Sequence, residues 1–77
     1  MKFKNMEPVV LVRDIPEHGL QAGDLGAIVE IYPRGGVEVE FVRLSGETQA
    51  LLTLSERDIR KTDSHDLPAI RRLAKVS

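Results

Sequence analysis

Three small constellations in this chain carry residue types that chemistry needs. Asp14, Glu17 and His18 lie close together, a spacing at which a carboxylate can orient an imidazole as a general base. Glu38 and Glu40 alternate within Val37-Glu-Val-Glu-Phe41, so in an extended strand both project to one side, the arrangement of paired carboxylates that do acid–base work. Glu30, in the preceding strand candidate, is a third member of that face. His65 stands between Asp63 and Asp66, and a metal there would need a third well-placed ligand. Each group has a plainer account, which the chain favours. No nucleophile or oxyanion device accompanies His18, alternating glutamates are the usual solvated face of a strand, and His65 lies in a polar linker. Pro33-Arg-Gly-Gly36 is no phosphate cradle, because no Walker-type Lys-Ser/Thr follows and no helix opens there. Ser45, Ser55 and Ser64 lack a nucleophile-elbow context. The expectation is a protein that is not an enzyme, with no cofactor and no metal.

The elements that would position these residues are mostly strands. Glu7–Arg13 reads as the first, with Pro8 at its start, where a missing N–H costs least. A turn-rich loop runs from Asp14 to Asp24, punctuated by Pro16, Gly19 and Gly23. Residues 25–32 are rich in β-branched residues and form the second strand; Gly26 at its entry is expected to have positive φ. In the third, Val37–Arg43, Val37, Val39 and Phe41 share a buried face opposite Glu38 and Glu40. Leu44–Glu47 is a hairpin turn and Thr48–Leu54 the fourth strand, with Ala50, Leu52 and Leu54 on one face. Ser55–Asp58 is a short 3₁₀ turn capped by Ser55, and Ile59–Thr62 a brief fifth strand. Short strands in this order, joined by tight turns, predict a mainly β fold: a small SH3-like β-barrel of about five strands over residues 1–62, closed so that no edge stays open.

Residues 63–77 differ. Asp66 is placed to cap a helix, Pro68 falls in its first turn, and Leu67, Ile70, Leu73 and Ala74 recur at helical spacing. Arg71, Arg72 and Lys75 come late, where cations favour the negative end of the helix dipole. A short basic amphipathic α-helix is expected over 67–76. So short a helix is marginal alone, so it should pack across its own barrel or serve as a homodimer or partner contact.

Composition narrows the function classes. The chain has 77 residues, no cysteine and a net charge of −1. That length is one small domain with little room for a deep water-excluding site, and disulfides and thiolate metal sites are excluded. No apolar run approaches membrane-spanning length, and no signal-peptide pattern follows Met1; a soluble, cytoplasmic protein is expected. Residues 1–59 hold six Lys/Arg against ten Asp/Glu, whereas residues 60–77 hold five against two. An acidic body with one Tyr and two Phe lacks the basic footprint and the stacking platform that nucleic acids require.

Residues 1–62 resemble a largely bacterial family of small proteins called domain of unknown function 4926. The resemblance rests on Val9-Val-Leu-Val-Arg-Asp-Ile-Pro-Glu-His-Gly-Leu-Gln-Ala-Gly-Asp-Leu-Gly-Ala-Ile-Val-Glu-Ile-Tyr32, on Val37-Glu-Val-Glu-Phe41 and on Thr48-Gln-Ala-Leu-Leu-Thr-Leu54. It implies an SH3-like fold, no assigned enzymatic activity, and a protein partner encoded nearby, in a toxin–antitoxin or immunity arrangement. Gly23-Asp-Leu-Gly-Ala-Ile-Val29 also resembles the turn of KOW-type modules of ribosomal and transcription factors, and that of an SH3-like ferredoxin-docking subunit. The acidic body argues against docking either RNA or acidic ferredoxin. The expected function is therefore a non-catalytic interaction module for one specific protein partner, antitoxin-like or a small complex subunit. A KOW-like RNA- or ribosome-associated module acting through the basic tail is the alternative. The expected contact residues are Glu30, Glu38 and Glu40 on the acidic face, Glu17 and His18 in the loop, and Arg71 and Arg72 in the tail.

Overall fold

The computed structural model describes residues 3–73. Five strands form one antiparallel sheet: β1 (Pro8–Leu11), β2 (Leu25–Ile31), β3 (Val37–Val42), β4 (Thr48–Leu54) and β5 (Ile59–Lys61), hydrogen-bonded in the order β4-β3-β2-β1-β5. Alternation in β3 does what period-two patterning requires. Val37, Val39 and Phe41 are buried, and their partners Leu54, Leu52 and Ala50 on β4 close over the same face. Phe3, Val9, Leu11, Ile15, Leu20, Ile28 and Ile59 complete the core. The turn after β4 is a 3₁₀ turn, Glu56–Asp58, with a reciprocal capping box: the Ser55 hydroxyl accepts from Arg57 N, and Asp58 accepts from Ser55 N.

Three expectations are corrected. The sheet is not a closed barrel. After β4 the chain has one 3₁₀ turn before β5, and β5 spends its three residues on the free side of β1, with Ile59 opposite Leu11. No ladder then joins β5 to β4, and both are sheet edges. There is also no C-terminal α-helix in residues 67–73; positions 74–76 of that expected helix lie outside the described residues. The local geometry explains the loss. The capping position falls at Asp63 instead of Asp66: Asp63 Oδ1 accepts from His65 N, and Asp66 Oδ2 accepts from Asp63 N. Leu67 then precedes Pro68, which disfavours the α conformation, so the turn is not continued. Of the apolar stripe, Leu67 is 89% and Ile70 85% exposed, whereas Leu73 is half-buried.

Gly26 is the third correction. It does not have positive φ. It is glycine because β3 crosses too close for a side chain: a Cβ there would lie 2.7 Å from Val39 Cγ1 and 2.9 Å from Phe41 Cε1. The positive φ belongs to Gly23, at 98°, one residue before the Asp24 carboxylate that accepts Gln21 N.

Candidate functional site

The acidic face is built on β2 and β3. Strict alternation from buried Ile28 would turn Glu30 inward. A bulge between Ile28 and Glu30 inserts Val29 and resets the parity, placing Glu30 directly opposite Glu38 and returning Ile31 to the core side opposite Val37. Glu40 follows on the same face, opposite Ala27 and Leu51. The Tyr32 hydroxyl donates to Glu38, an interaction that raises the phenol pKa above its ordinary value. Thr48 Oγ1 donates to Glu40 Oε2 at 2.5 Å. Among the described residues no Lys, Arg or His forms an ion pair with Glu30, Glu38 or Glu40. Like charges facing each other across a ladder are destabilising, and among the described residues the Glu30–Glu38 pair is offset by the Tyr32 hydroxyl and not by a cation.

The second group forms where the loop meets the tail. Pro16–His18 is a 3₁₀ turn that ends at Gly19 in the left-handed region. Ile15 and Leu20 on either side are buried and bridged to each other. Asp14 Oδ1 accepts from Ala22 N at 2.8 Å. This bracing leaves Glu17 and His18 exposed. The His18 carbonyl accepts from Gln49 Nε2 at 3.0 Å, tying the loop to β4. Arg71 reaches the same place from the tail: it donates to both oxygens of Asp24, at 3.0 and 2.6 Å, and to the Gly19 carbonyl at 3.0 Å. Arg71 thus reaches the Gly19 carbonyl, one residue beyond His18, whereas Glu30, Glu38 and Glu40 form a separate cluster on the sheet. Arg72 is exposed.

A second anchor holds the tail nearer β5. Arg60 donates to both oxygens of Asp66 at 2.9 and 2.8 Å, the bidentate geometry that makes arginine–carboxylate pairs strong. Val10 pairs with Arg60 on one side and with Leu25, the neighbour of Asp24, on the other. Val10 stands outside the main core cluster yet is only 8% exposed. Residues 63–73 thus form an extended strap clipped to β5 at one end and to the loop at the other. Sequence reading missed Asp24 and Asp66 as its anchors. Arg71 and Asp24 are 47 residues apart, and no local pattern links them.

These contacts set an acid response. Its hydrogen bonds to Arg60 and to the Asp63 amide pull the Asp66 pKa from 3.8 to about 2. At Asp24 burial opposes the charge, but the Arg71 and Gln21 hydrogen bonds outweigh it and lower the pKa. Asp58, held by Arg13, and Glu7, held by Lys61, are lowered too. A carboxylate with a depressed folded-state pKa stabilises the fold above its unfolded-state pKa, and that contribution is lost as pH falls through the folded value. The thermal midpoint should therefore be flat near neutrality and fall between about pH 4 and about pH 2. A midpoint constant across that window in a pH series of melts would contradict the strap's ion pairs.

The His18 ring makes no hydrogen bond to Asp14 or Glu17 among the described residues. His65 Nδ1 lies 3.2 Å from Asp63 Oδ1 in full solvent exposure. Among the described residues no group of three His, Cys, Asp or Glu could hold a metal ion, and no helix is long and apolar enough to cross a membrane.

Fold and site together define a small antiparallel β module with an acidic sheet face and a pinned loop. The family model described as Domain of unknown function (DUF4926) matches residues 6–61, and the chain belongs to that family. The match ends where the strap begins, so the strap and its anchor Asp66 lie outside the matched region. No curated protein and no solved structure matches the chain.

Proposed function

We propose that this chain is a non-catalytic interaction module that binds one specific protein partner of basic surface through Glu30, Glu38 and Glu40. One observation carries the reading: the bulge in β2 sets Glu30 opposite Glu38, and no cation within the described residues neutralises the cluster. Like charges facing each other are what a cationic partner relieves, and complementary charge also speeds association. The loop residues Glu17 and His18, together with Arg71, are the secondary contact. The strand order and the long first loop fit an SH3-like module opened between β4 and β5, and an antitoxin, an immunity protein or a small complex subunit is the role such a module would fill.

The alternative, a KOW-like module on RNA or the ribosome, draws on the basic tail. Its support is thinner because Arg71 is committed to Asp24 and Arg60 to Asp66. Affinity capture from the lysate of the organism of origin separates the two. The native chain should retain one stoichiometric protein at low salt, and the triple variant Glu30→Gln, Glu38→Gln, Glu40→Gln should release it. High salt should weaken capture because exposed charges are screened beyond about 8 Å at physiological ionic strength. Recovery of RNA and ribosomal proteins, unaffected by the triple variant, would transfer the assignment to the alternative.

A further inference from the structure

The two edges of the sheet are treated differently. β5 is short, three residues long, and carries Arg60 and Lys61, both devices by which proteins blunt an edge against pairing. β4 has neither. Its seven residues, Thr48-Gln-Ala-Leu-Leu-Thr-Leu54, include no charge and no proline. β4 pairs with β3 alone. Among the described residues, no backbone hydrogen bond outside the sheet's ladders uses any residue from Thr48 to Leu54. The loop touches this strand by a hydrogen bond from the Gln49 side chain, not from its backbone. A row of outward N–H and C=O groups is therefore left for another strand.

We propose that β4 of a second copy of this chain occupies that edge, forming an antiparallel two-fold dimer centred on Leu51. The strand's own pattern is the argument. A two-fold interface is self-complementary, and with Leu51 on the axis the run Ala50–Leu52, on the regular side of a bulge at Gln49, pairs with itself. Leu51, 53% exposed, meets its own counterpart on the outer face. Ala50 falls opposite the second copy's Leu52 on the core side, apolar on apolar. β4 itself carries no charged residue, so no like charges face each other along it. The acidic face does not oppose the pairing. Glu38 and Glu40 sit on β3, one strand inboard, and three strand spacings, about 14 Å, separate the two β3 strands. That exceeds the screening length of about 8 Å at physiological salt.

Sedimentation equilibrium of the full chain tests this, from about 10 µM to about 1 mM, a range that brackets weak dimers. The expected result is a mass rising from 8.6 kDa towards twice that value. Leu51→Lys brings two ammonium groups together on the axis and removes an apolar contact, so the dissociation constant should rise about tenfold or more. Leu44→Lys, in the β3–β4 turn and 91% exposed, should leave it unchanged. Backbone amide exchange at alternate residues of β4 should slow as concentration rises, which reads the edge directly in the native chain. Dimerisation should hold or strengthen in high salt, whereas capture of a basic partner weakens, so the two proposals fail separately. A chain that stays monomeric throughout overturns the dimer, as does a dissociation constant indifferent to Leu51→Lys or moved equally by Leu44→Lys.

Discussion

Phe41→Ala should bring this protein close to unfolding at room temperature. Phe41 is 2% exposed and sits near the middle of the sheet, on β3 opposite Ala50 of β4 and against the glycine of β2. Truncating a buried phenylalanine removes its transfer free energy and leaves a cavity that neighbours only partly fill, at a cost of about 3–5 kcal/mol. The neighbours here are poorly able to move. Val37, Val39 and Ile28 are fully buried on strands paired on both sides. A folded domain of this size has a total stability of only about 4–11 kcal/mol. The thermal midpoint should fall by roughly 15–30 °C, since each kcal/mol is worth about 4–8 °C in so small a domain. Calorimetry or a circular-dichroism melt reads this directly. A shift of a few degrees would mean that Phe41 does not hold the two halves of the sheet together.

How much of this was legible in the sequence follows from how local each cause is. The inward face of β3 was readable because alternation is a two-residue rule, and the bounds of β4 were readable because Gly46 before it and Ser55 after it are explicit punctuation. The capping box at Ser55 and Asp58 needs only residues three apart. The bulge that brings Glu30 to Glu38 left no such trace: Ile28, Val29 and Glu30 suit an ordinary strand, and only the pairing with β3 shows that one of them is extra. Barrel closure depended on whether β5 had length to spare after pairing with β1, a question about two distant segments. The tail shows the same limit from the other direction. Its helical spacing is genuine, but Leu67 before Pro68 and the pull of Asp24 on Arg71 act against it, and the second of these comes from 47 residues away. Acidic residues thus announced themselves as a candidate face, while the strap that clips the loop did not.

Gly26→Ala should be destabilising despite adding a better strand former, and its cost should depend on Phe41. On an open strand, replacing glycine by alanine stabilises by about 0.4–1 kcal/mol through the unfolded chain. Here the new Cβ meets Val39 Cγ1 at 2.7 Å, Phe41 Cε1 at 2.9 Å and the Glu40 carbonyl oxygen at 3.1 Å. The two side chains can give a little, but the carbonyl is fixed by the β2–β3 ladder, in which Glu40 pairs with Ala27. Overpacking of this kind costs about 1–3 kcal/mol, which exceeds the entropic gain. Gly26→Val should be worse, because its γ-methyls extend into the same contacts. The informative experiment is the cycle with Phe41→Ala. In that background the ring that crowds position 26 is gone, and part of the cavity becomes room for the methyl group. Gly26→Ala should then cost less than in the native chain, with a coupling of about 1 kcal/mol against the ~0.3–0.5 kcal/mol scatter of independent sites. Additive costs within that scatter would mean that the glycine is kept for a reason other than the approach of Phe41.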